Sequence, residues 1–154
     1  MAEPITRAYQ VIQIMQIMNL LRRLPADGDY VQSIAGMSVP QLACIGLLSC
    51  QEDNGGAPVY QRDLENCFKL RRSTISSLLT NLEKKGLILR EPVPHDGRLK
   101  RLVLTGPGRD LGRQVISHFT GLNRILVADL DAQERETLRA LLEKIEQGLA
   151  ARCP

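Results

Sequence analysis

Residues 71–86, RRSTISSLLTNLEKKG, constrain the fold of this chain more than any other stretch. Ile75, Leu78, Leu79 and Leu82 recur at i, i+3, i+4 and i+7, the spacing of one inward stripe on an α-helix. Gly86 follows at the place where a left-handed residue ends a helix. Leu87–Arg90 and Leu99–Leu104 are β-rich runs on either side of Pro92-Val93-Pro94-His95-Asp96-Gly97, which reads as a hairpin with a long polar tip. A helix followed at once by a hairpin leaves few architectures open.

The opposite face of that helix is Ser73, Ser77, Thr80, Asn81 and Lys84, with no acid before Glu83. Arg71 and Arg72 stand at its start, where the macrodipole places roughly half a positive charge and a cation costs about a few tenths of a kcal/mol unless an anion lies nearby. Duplex phosphates are such anions, and guanine edges add neutral acceptors for the arginines. A helix of about 16 residues spans roughly 24 Å and enters a major groove about 12 Å wide. Small hydroxyl side chains let its backbone approach base edges and phosphates, and arginine forks onto guanine O6 and N7. The candidate DNA contacts on this helix are therefore Arg71, Arg72, Ser73, Thr74, Ser76, Ser77, Thr80, Asn81 and Lys84.

Charge agrees with this once it is divided along the chain. Residues 60–101 hold ten Lys/Arg against five Asp/Glu, whereas the rest of the 154 residues carry a small acidic excess. With no Trp and 3% aromatic residues, stacking on single-stranded nucleic acid is disfavoured, so charge and hydrogen bonds must do the reading. Length limits the chain to one domain or a compact bundle with one appended module.

The flanks read as helices. Ile5 to Leu24 is apolar on most sides, its polar stripe of Gln10, Gln13, Gln16 and Asn19 uncharged until Arg22 and Arg23, as in a helix covered at a subunit interface. Pro25–Asp29 breaks it, and a second helix runs from about Ser38–Pro40 to Glu52. After a loop at Asn54–Pro58, Gln61 to Phe68 forms a short helix burying Leu64 and Phe68, with Cys67 as a core-side thiol. Thr105 caps a helix that extends to about Asp129, with Gly121 as a bend. Asp131 and Glu134 form a capping box for a last helix that buries Leu138, Leu141, Leu142, Ile145 and Leu149.

Residues 31–51 are uncharged but interrupted by polar residues, so no membrane span is expected; nor is a secretory leader, which leaves a cytoplasmic protein, nucleoid-associated when bound to DNA. The four cysteines, Cys44, Cys50, Cys67 and Cys153, lack zinc spacing and are expected to be reduced, with buried inert thiols favoured over redox sensors. His118 has no ligand partner at helical spacing. No nucleophile elbow, phosphate loop or zinc-protease motif is present, so neither an enzyme nor a cofactor is expected.

Asn81 to Leu111 resembles the MarR (multiple antibiotic resistance regulator) transcription factors. Leu82-Glu83-Lys84-Lys85-Gly86, Arg90, Asp96-Gly97-Arg98 and Leu104-Thr105-Gly106-Pro107-Gly108 match the family's motifs in order and spacing. The resemblance implies a mainly α fold with a small β-hairpin wing (α+β), a winged helix-turn-helix at 38–104, and dimerisation helices at 1–37 and 105–154. It further implies a homodimeric repressor on a pseudo-palindromic operator, released by an anionic phenolic ligand or by thiol oxidation. Arg98 becomes the wing arginine of the minor groove, with Lys100 near it, and Asp96 either holds that arginine or serves only as a turn residue. Gly106-Pro107-Gly108 departs from the family's charged pair and is a poor helix start.

For an effector, a small anionic or aromatic molecule, Tyr9, Met15, Met18 and Arg22 are the candidate liners, although a Met stripe at helical spacing also suits a core. A dimeric adaptor that kept the fold and lost DNA is the competing reading. It predicts no salt-dependent binding.

Overall fold

The computed structural model describes residues 3–24, 34 and 36–152, with side chains from Tyr9 onward. Six helices and three short strands occur among them: α1 (Glu3–Arg23), α2 (Val39–Asp53), β1 (Val59–Tyr60), α3 (Gln61–Phe68), α4 (Arg72–Lys84), β2 (Ile88–Val93), β3 (Asp96–Leu104), α5 (Gly106–Leu126) and α6 (Ala132–Ala150). The expected break at Pro25–Asp29 and Cys153 lie outside the described residues.

Local chemistry sets each boundary. Ser38 caps α2 in a reciprocal box: its hydroxyl accepts from Gln41 N, and Gln41 Oε1 accepts from Ser38 N at 2.8 Å. α4 ends as its sequence demands, with Leu87 N donating to Leu82 O at 3.0 Å while Gly86 takes φ +69°, a left-handed conformation that glycine adopts without strain. The Asp131–Glu134 box opens α6 with both bonds at 2.9 Å.

One core joins the middle of the chain. Ile45 and Leu48 of α2, Leu64 of α3, Ile75, Leu79 and Leu82 of α4, Ile88 of β2, Leu104 of β3 and Val115 of α5 are all essentially sealed from solvent. Each such side chain contributes about 1.5–3 kcal/mol on burial. The i, i+3, i+4, i+7 stripe of α4 is buried in full.

Four expectations are corrected. β1 was not anticipated: it pairs antiparallel with β3, making a three-stranded sheet of order β1-β3-β2 where a bare hairpin was expected. The wing tip is tighter than expected, because the β2–β3 ladder continues to Val93↔Asp96 after a register shift at Pro92/Val93. α5 ends at Leu126 rather than near Asp129, and it runs through Gly121 as one continuous helix. Cys67 is exposed, since α3 turns only Leu64 fully inward, and Phe68 is half-buried.

The outer helices differ more. Along α1 every side chain from Tyr9 to Leu20 is exposed, and α6 buries none: Leu141, Leu142, Ile145 and Leu149 each keep about half of their surface in water, with Leu138 half-buried. Neither helix packs extensively against the rest of the described chain. The apolar stripe expected to be buried on α6 is therefore left uncovered among the described residues. Among the described residues, no helix is long and apolar enough to cross a membrane.

Candidate nucleic-acid interface

α4 presents the polar face that its sequence encodes. Arg71 sits at the N-cap and Arg72 opens the helix; both are exposed, as are Ser73, Thr74, Ser77, Thr80, Asn81 and Lys84, while Ser76 is half-buried. Ser76, Ser77, Thr80, Asn81 and Lys84 line a shallow depression of ≈ 300 Å³ along the middle of that face. No acid stands in its first turn.

Thr80 is less available than its sequence position suggests. Its hydroxyl donates to Ser76 O at 2.9 Å and accepts from Arg90 Nη2 at 3.2 Å. Arg90, on β2, also donates to Ser76 O at 3.4 Å and places Nε 3.0 Å from Glu83 Oε2. A single guanidinium thus fastens the back of the wing to the outer helix at three points. Sequence reasoning counted Arg90 as part of the basic patch without seeing that it points at α4.

The wing carries the remaining candidates. Arg98 and Lys100 are both exposed on β3. Asp96 Oδ1 accepts from Arg98 N at 3.0 Å, an Asx turn that shapes the tip. This contact is to the backbone of Arg98 rather than to its guanidinium.

Between wing and helix lies a cleft of ≈ 590 Å³ that brings Arg72, Arg98 and Lys100 together with Tyr60, Gln61, Arg62, Glu65, Arg90, Leu99 and Leu102. The pairing of Tyr60 with Arg101 through β1 brings the start of α3 beside β3 and so puts Gln61 and Arg62 into it. These two were missed from sequence, where only the count of basic residues included Arg62 and nothing marked β1. Of the nearby carboxylates, Glu83 pairs with Arg90 and Glu91 with Arg101 at 2.8 Å, while Glu65, which lines the cleft, accepts from Gln61 Nε2 at 3.0 Å and Asp63 accepts from Tyr60 N at 2.8 Å. Among the described residues Arg62, Arg72, Arg98 and Lys100 form no ion pair.

The candidate effector liners stand apart from this site. Tyr9, Met15, Met18 and Arg22 are exposed on α1, at 53%, 60% and 48% for the first three, and no described cavity gathers them. His118 is half-buried on α5 and meets Phe119 edge-on, with centroids 5.8 Å apart. Of the cysteines, Cys44 is buried and its thiol is pushed up to about 12 by loss of solvent, whereas Cys50 and Cys67 are exposed, against the expectation of buried thiols.

Comparison with known proteins points the same way as the geometry. Residues 35–99 match the MarR family model. The chain is 30% identical over 96 residues to the transcriptional regulator PecS of Dickeya dadantii (strain 3937), a match covering 61% of this chain and 58% of that one. It therefore spans less than two thirds of that relative's length. Among solved structures, the S. aureus MepR–DNA complex is 28% identical with a TM-score of 0.69, covering 92% of this chain and 96% of the other. S. aureus MepR in its DNA-binding conformation is 26% identical with a TM-score of 0.72, covering 93% and 98%.

Proposed function

We propose that the chain, whose residues 35–99 match the MarR family model, is a transcriptional regulator of that family that binds duplex DNA as a homodimer and represses transcription until an effector releases it. One observation carries the reading: four cations without ion pairs among the described residues, Arg62, Arg72, Arg98 and Lys100, line the cleft between α4 and the wing. α4 enters the major groove with Arg71, Arg72 and its hydroxyl residues toward base edges and phosphates, and Arg98 reaches the minor groove, whose narrow A·T-rich stretches attract a guanidinium.

The homodimer is supported by the exposed apolar surfaces of α1 and α6. Two copies related by a two-fold axis read a pseudo-palindrome with half-sites about 34–36 Å apart. Tyr9, Met15, Met18 and Arg22 enclose an anionic or aromatic effector only if a second chain covers α1. Exposure of Cys50 and Cys67 favours a second reading, release by thiol oxidation.

The test is a binding titration of the full chain against the segment upstream of its own gene at two ionic strengths. Log affinity should fall steeply with log salt as several phosphates shed counterions. An affinity indifferent to salt, or no binding, would favour the adaptor instead.

A further inference from the structure

The first helix of the helix-turn-helix contributes to the cleft from a direction that neither α4 nor the wing covers. Arg62, in the first turn of α3, is exposed and without an ion pair, and it shares the cleft with Lys100 and Arg98 of β3 and Arg72 of α4. The one acid in the lining, Glu65, accepts from Gln61 one turn back, and Asp63 is held by Tyr60 N. Arg90, the fifth cation of the lining, is turned toward Glu83 and Ser76. Tyr60, Leu99 and Leu102 supply the apolar part of the wall.

This composition fits one chemical group: a phosphodiester with its sugar, the phosphate on the cations and the deoxyribose on the apolar side. At ≈ 590 Å³ the cleft is large enough for such a unit, and cations from three elements line it. A duplex whose major groove holds α4 and whose minor groove holds Arg98 must run its backbone between the two, across this cleft. Resting on the DNA-binding reading above, we propose that Arg62 clamps one backbone phosphate between α3 and β3, a positioning contact that sets the wing's register on the duplex and is blind to base sequence.

The test compares the full chain with Arg62→Ala and Arg62→Lys, by fluorescence anisotropy, on the upstream duplex and on a random duplex of equal length, between about 50 and 200 mM salt. Arg62→Ala should lower the slope of log affinity against log salt by about 0.9 for each chain that contacts the duplex. It should lose affinity by the same factor on both duplexes, and Arg62→Lys should restore most of the slope, since a point charge still engages a phosphate. Thermal melts check that both variants stay folded. An unchanged slope in Arg62→Ala would overturn the clamp, as would a loss confined to the upstream duplex or a lysine variant as weak as alanine. If the native chain binds neither duplex, it is the DNA-binding reading itself that fails; a steep native slope retained by Arg62→Ala sinks the clamp alone.

Discussion

Arginines of one local segment take opposite roles, and only their partners tell them apart. Arg90 is consumed by Glu83, Ser76 and Thr80, whereas Arg72 and Arg98 stand in the cleft without ion pairs. Arg98→Ala should weaken specific binding by roughly 1–3 kcal/mol and flatten any A·T preference, as read by titration on A·T-rich and G·C-rich duplexes. The Asp-x-Arg spacing made Arg98 legible in the sequence; that Asp96 would grip a backbone amide was not, because the same residue pair permits both contacts. Cys44 was legible as a buried thiol, and Cys50 and Cys67 were not as exposed ones, since apolar neighbours in sequence do not say which side of a helix faces water. The folded state holds the Cys44 thiol at about 12 against an ordinary 9.0. The unfolded chain therefore loses that proton first as pH rises, so the stability the neutral thiol contributes is intact below 9.0 and drains away toward 12. By pH about 11 the native chain should lose roughly 3 kcal/mol that Cys44→Ala does not, measured by urea melts of both from neutral to alkaline pH.

At the scale of elements, helix periodicity and the β2–β3 hairpin were readable, and the pairing of β1 was not. α3 and α4 follow from spacing alone, because the partners that bury Leu64 or Leu79 need not be known to see the stripe. β1 is two residues long, and its pairing to β3 depends on contacts some forty residues away in sequence. The weak helix start at Gly106-Pro107-Gly108 has a packing reason. Thr105 Oγ1 accepts from Gly108 N at 3.1 Å and donates to Gly86 O at 2.7 Å, pulling α5 onto the end of α4. A Cβ on Gly108 would lie 2.0 Å from Leu87 O. Gly108→Ala should cost about 1–3 kcal/mol or more, since backbone rather than a flexible side chain must yield, and a chemical melt with an unchanged midpoint would contradict this. Gly112 plays the corresponding part where α5 crosses α2, its missing Cβ leaving room for Ser49.

Over the whole molecule, the residues that sequence reasoning assigned to a core divide into two sets. Leu64 and the Ile75, Leu78, Leu79, Leu82 stripe of the winged module are sealed within one chain, while the stripe of α6, like the apolar face of α1 read as an interface, is left in water. Periodicity marks a face as apolar without saying whose surface covers it. Leu142→Glu should shift the chain from dimer toward monomer in sedimentation velocity and weaken binding to a two-half-site duplex far more than to a single half-site. The melting of the winged module should change little, because α6 contributes nothing to its core.

Glu52, at the end of α2, accepts from Leu104 N at 3.2 Å with one oxygen and from Arg109 Nε at 2.7 Å with the other. A single carboxylate thus pins the last rung of the wing to the first turn of a helix roughly 30 Å long. With Gly108 seated on Leu87 there is little room at that joint, so a tilt of α5 would carry the base of the wing with it. Under the DNA-binding proposal, a tilt of the far end of α5 would reach Arg98 without any separate relay.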